Sequence, residues 1–80
     1  MTGQEKWKVI DEVCDEIRAS LQREADHLKK QAEDCGDKDS IKKLSLEIEA
    51  TAYVKAQINV TSVKTRLQMN LIQQIIEETK

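Results

Sequence analysis

Ile58-Asn59-Val60-Thr61-Ser62-Val63 is the stretch on which the fold turns. These six residues are all poor helix formers, costing a helix together roughly 2–3 kcal/mol relative to alanine, and Asn59, Thr61 and Ser62 are good N-caps for a fresh start. Read as a break, the segment separates a second helix ending near Gln57 from a third beginning near Thr61. Read as continuous, because β-branched runs are tolerated where packing supports them, it leaves one helix running to Thr79. The break is the reading adopted. It predicts an all-α three-helix bundle with a long first helix, the helices covering residues 5–35, 40–57 and 61–78 of a single domain. The alternative is an antiparallel helical hairpin, two of which make a four-helix homodimer.

Upstream of this stretch the pattern is plainer. Trp7, Ile10, Cys14, Ile17, Leu21, Ala25, Leu28, Ala32 and Cys35 recur at steps of three and four, which is one stripe of a long helix. Gly36 ends it, since glycine takes the positive-φ backbone that a helix C-terminus commonly needs, and Asp34 to Asp39 form the one clear turn cluster. Asp39 or Ser40 then caps the second helix, whose core stripe reads Ile41, Leu44, Ile48, Ala52 and Ala56, with Leu46 and Tyr53 to one side. Beyond the break, Val63, Leu67 and Leu71 form one face, with Leu67 and Leu71 on the stripe expected in the core, while Met69, Ile72 and Ile76 lie roughly 100–180° away. The C-terminal half is therefore apolar on two sides. Either it sits in a groove that covers both, or Met69, Ile72 and Ile76 form a strip for a partner helix.

Composition narrows the function. Eighty residues with no proline, two glycines, no phenylalanine, one tryptophan and one tyrosine leave helix almost throughout and a small core, so stability is marginal or borrowed. A net charge of −2 argues against a strong nucleic-acid binder. The longest unbroken apolar run, Ala52-Tyr53-Val54, is too short for a membrane span or a signal peptide, so an intracellular protein, nuclear or cytoplasmic, is expected. Charge is uneven: residues 1–35 hold six basic and nine acidic side chains, whereas residues 50–76 hold Lys55, Lys64 and Arg66 and no acid. Those cations suit an acidic protein surface better than a phosphate backbone.

Catalytic chemistry is not expected. His27 stands alone in a polar stretch, and Cys14 and Cys35 have no CxxC spacing, so one chain assembles neither a zinc site nor a thiol with its base. On one helix the two cysteines are separated by about 31 Å, which forbids a bridge and fits reduced thiols. Pairs such as Asp11/Asp15 and Glu12/Glu16 read as a solvated face, and no glycine-rich phosphate loop is present. No cofactor, metal or small-molecule substrate is implied.

The segment Ile41-Lys42-Lys43-Leu44-Ser45-Leu46-Glu47-Ile48-Glu49-Ala50-Thr51-Ala52-Tyr53, followed by Val63-Lys64-Thr65-Arg66-Leu67-Gln68-Met69-Asn70-Leu71, resembles the central domain of transcription elongation factor TFIIS and related proteins over residues 41–74. The same Ile-Glu to Tyr53 region is also similar to KIX-type activator-binding domains. The resemblance implies a three-helix domain of the transcription machinery that docks another protein. Of the family's basic residues on its third helix, only Lys64 and Arg66 have counterparts; Gln68, Met69 and Asn70 stand where further basic residues belong. The expectation is therefore a non-enzymatic protein interaction module, part of a transcription or elongation factor, with Lys64, Arg66, Met69, Ile72 and Ile76 as its partner-binding residues. The alternative is a structural homodimeric hairpin whose partner is a second copy.

Overall fold

The chain is all-α, and in the computed structural model, which describes residues 2–36 and 38–79, it forms two helices. Helix α1 spans Gly3–Cys35 and α2 spans Ser40–Glu78. Both start where a side chain can satisfy a free amide of the first turn. The Glu5 amide donates to Thr2 Oγ1 at 3.1 Å, and the Lys42 amide donates to Asp39 Oδ1 at 3.0 Å. Gly36 ends α1 at φ 56°, a backbone that non-glycine residues rarely adopt, and its amide donates to the Glu33 carbonyl at 3.1 Å. Asp37, within the expected turn cluster, lies outside the described residues.

The expected break at Ile58–Val63 and the third helix beyond it do not occur, because α2 runs through them. Two physical reasons are visible. The hydroxyls of Thr61, Ser62 and Thr65 donate to the carbonyls of Gln57, Ile58 and Thr61, each at 3.1 Å, so these side chains bond within the helix instead of capping a new one. Val60 and Lys64 are also half-buried against α1, and tertiary packing outweighs a propensity deficit of a few kcal/mol.

The helices pack antiparallel, and their register is set by cross-helix polar pairs that hold residue 11 opposite 68, 18 opposite 61 and 22 opposite 57. At the open end Gly3 lies against Ile75, whose Cδ1 would be 2.6 Å from a Cβ added at the glycine. The seam of α1 steps through Cys14, Arg18, Leu21, Ala25, Leu28, Ala32 and Cys35, all buried or half-buried; that of α2 steps through Lys43, Leu46, Ala50, Gln57, Val60, Lys64 and Leu71. Steps of three and four on α1, and of three, four and seven on α2, keep the seven-residue repeat of a two-stranded coiled coil. In the half nearer the turn Ala25, Ala32 and Ala50 are all but fully buried, which lets the backbones approach closely at these positions.

A second correction concerns which stripe of α2 faces inward. Ile41, Leu44 and Ile48, expected in the core, are 84%, 57% and 62% exposed, and Ala52 is also exposed. The inward stripe is the neighbouring one, carrying Lys43, Leu46 and Ala50. Ile17 and Trp7, expected on the α1 core stripe, are exposed on its flanks, and of Leu67 and Leu71, expected in the core, only Leu71 is buried.

Candidate interaction faces

Three surfaces emerge from this packing. The first is a polar layer between the helices, on the side that carries Asp15, Arg18, Gln22, Gln57 and Thr61. Lys64 Nζ lies 2.9 Å from Asp11 Oδ1 and 3.6 Å from Asp15 Oδ1, and Gln68 Nε2 donates to Asp11 Oδ1 at 2.9 Å. Arg18 donates to Thr61 Oγ1 at 3.1 Å and to Asp15 Oδ1 at 3.2 Å, and Gln57 donates to Gln22 Oε1 at 2.8 Å. The Lys64 ammonium and the Gln68 amide beside Asp11 hold its carboxyl below the ordinary carboxylate value; the hydrogen bond to Asp11 raises the Lys64 ammonium above its ordinary value. A layer of this kind, in a seam otherwise made mostly of aliphatic side chains, selects one register against its neighbours.

Lys64 is thus engaged inside the hairpin, not presented on the surface expected to orient a partner. The sequence signal for this layer is the phase of Asp11 and Arg18, which fall on the seven-residue repeat of the α1 seam even though they are charged. Arg66 is exposed on α2, away from that layer.

The second surface lies on the opposite broad side of the hairpin, at its open end. Val9, Ile10, Leu67 and Leu71 line a shallow groove there, rimmed by Lys6, Asn70 and Gln74. Val13 and Val63 continue it, about half exposed.

The third surface is the outward face of α2. Met69, Ile72 and Ile76 are 62%, 43% and 51% exposed, so no groove covers them. Ile41, Leu44, Ile48 and Ile58 share their phase: the positions 41, 44, 48, 51, 55, 58, 62, 65, 69, 72 and 76 recur at alternating steps of three and four along the whole helix. Seven of these eleven are Ile, Leu or Met, and those seven all remain exposed. Reading the helix as two pieces hid this continuity.

Among the described residues no group of three or more His, Cys, Asp and Glu side chains can hold a metal ion, and no helix is long and apolar enough to cross a membrane. Cys14 and Cys35 are free thiols on one helix. Compared with protein-family models, with curated proteins and with solved structures, the chain matches none.

Proposed function

We propose that the chain is a non-enzymatic interaction module that docks a protein partner through the outward face of α2. The observation that supports this reading is the uncovered apolar repeat from Ile41 to Ile76. An apolar stripe of coiled-coil spacing is a surface for another helix, whereas scattered exposed aliphatics need no explanation. Met69, Ile72 and Ile76 are its C-terminal part, and burying each fully in a complex is worth roughly 1.5–3 kcal/mol. Arg66, on the edge of that face, steers an acidic partner surface, a role in which exposed rim charges act mainly on association rate. Lys64 contributes to the shape of the hairpin rather than to contact.

The likeness of residues 41–74 to the TFIIS central domain supports a partner in the transcription machinery and a nuclear site of action. The uninterrupted α2 departs from the separate second and third helices that this likeness implies. A structural role, the hairpin as a self-assembling unit, is the second reading, and the near-symmetry of the same stripe about Ile58 favours it.

The experiment is site-directed photo-crosslinking in cells. A photoreactive amino acid substituted for Met69 gives a discrete protein adduct; the same group substituted for Glu12, on the exposed surface of α1, gives none. Absence of an adduct at Met69 would remove the docking reading.

A further inference from the structure

We infer that the occupant of the α2 face is a second copy of this chain, its α2 lying antiparallel to the first about a two-fold axis near Ile58. The inference rests on the docking reading above and names its partner.

The stripe is nearly symmetric about its own centre. Leu44 and Ile72 each lie 14 residues from Ile58, and Thr51 and Thr65 each lie 7. Ile48 and Met69 lie 10 and 11 residues away, Ile41 and Ile76 lie 17 and 18. An antiparallel pair therefore brings the apolar N-terminal third of one helix against the apolar C-terminal third of the other, twice, with hydroxyl-bearing residues facing one another between. A two-fold interface requires this property, since each patch must be complementary to itself under the rotation. A heterologous partner requires no such symmetry.

Charge selects the direction. In a parallel pair Lys55 of one helix would stand in the same layer as Lys55 of the other, two like charges at the seam. In the antiparallel pair the two ammonium groups are displaced by about 10 Å along the axis and face the region of Ile58 and Ser62. The flanking positions agree: the same rotation sets Arg66 near Ala52 and Glu47 near Gln68, so no two like charges meet.

Area supports a partner of this size. The hairpin exposes 6330 Å². A compact monomer of its 9.2 kDa mass would expose about 4,900 Å². The difference exceeds the roughly 800 Å² that each partner contributes to a standard interface. A helix of 39 residues, contacted along its length, can supply that area.

The test uses the purified full chain. Sedimentation equilibrium is expected to give twice the monomer mass, and Ile72→Ser with Ile76→Ser to raise the dissociation constant by about 100-fold or more. Direction is read by disulfide trapping in a Cys14→Ala, Cys35→Ala background. Ile58→Cys is expected to trap a covalent dimer, and an equimolar mixture of Ile41→Cys and Ile76→Cys chains to form mixed dimers. Ile41→Cys alone should form none, because its counterpart would lie about 50 Å away. A wild-type monomer at the highest soluble concentration would overturn the inference, as would self-trapping of Ile41→Cys. So would a dimer that survives the serine pair but is lost with Val13→Ser and Val63→Ser on the broad groove. A monomer in solution that still yields a Met69 adduct of foreign mass in cells would reject the second copy and leave the docking face standing. No adduct and no dimer would remove both.

Discussion

Leu71 is the one large aliphatic among the buried described residues, the others being Cys14 and three alanines. Leu71→Ala is expected to cost about 2–3 kcal/mol, whereas Leu67→Ala, at a side chain 45% exposed, should cost less than about 1 kcal/mol. Urea melts of the two variants check the difference, and equal losses would contradict the packing. Polar residues set a pH window. Asp11 titrates below its ordinary 3.8 in the folded chain, so its contribution is complete above that value and is lost as pH falls through the lower folded value. Lys64 titrates above its ordinary 10.5, so its contribution is complete below 10.5 and is lost as pH rises through the higher folded value. The thermal midpoint should therefore fall in acid below about pH 4, and Asp11→Asn should flatten that fall. An acid limb unchanged in the variant would show that the pair does not contribute. In the sequence Asp11 and Lys64 read as a solvated face and a docking cation, because nothing local reveals that residues so far apart in the chain share a seam.

At the scale of the helices, α1 was legible and α2 only in part. One stripe, a turn cluster and a glycine at its stop all agree for α1, while its Thr2 cap was not read from the sequence; consistency across such signals is what makes a local reading reliable. Helix α2 carries two stripes, and periodicity alone does not say which of two faces turns inward; Ile41, Leu44 and Ile48 are the more apolar set, yet Lys43, Leu46 and Ala50 occupy the seam. Hydrophobicity points to the other face, but Ala50, 1% exposed, gives the close approach to α1 that Ile48 would not. Intrinsic propensity sets the run Ile58–Val63 against alanine in an isolated helix, while in the fold the competing state leaves four carbonyls unbonded at Gln57 and exposes Val60. Hydrogen exchange should accordingly show Ile58–Val63 as slow as the turns on either side, and a fast window there would restore the break. At the α1 terminus, Gly36→Ala is expected to cost about 1–3 kcal/mol, since φ 56° is strained for alanine although nothing within 4 Å would obstruct its methyl group. Unfolding melts measure this cost, and a neutral substitution would mean that the turn readily adopts another backbone.

The molecule as a whole is a rod, 65 by 15 by 9 Å, with a radius of gyration of 18.4 Å where a compact chain of this length would have about 12 Å. A rod of two helices has no interior beyond one seam, and here that seam is partly polar. Folding and association are then hard to separate, because the apolar area missing from the core is the area displayed on α2. A net charge of only −2 offers little repulsion against pairing. If a second copy covers that face, the native state is stabilised by mass action, and the thermal midpoint must rise with protein concentration. The Ile72→Ser, Ile76→Ser chain should melt at one temperature across the same range, near the value that the wild type approaches on dilution, because exposed aliphatics contribute little to the hairpin itself. Circular dichroism melts over two decades of concentration read both curves. A wild-type midpoint independent of concentration would mean that the single seam suffices, and that the stripe on α2 is held ready for a different partner.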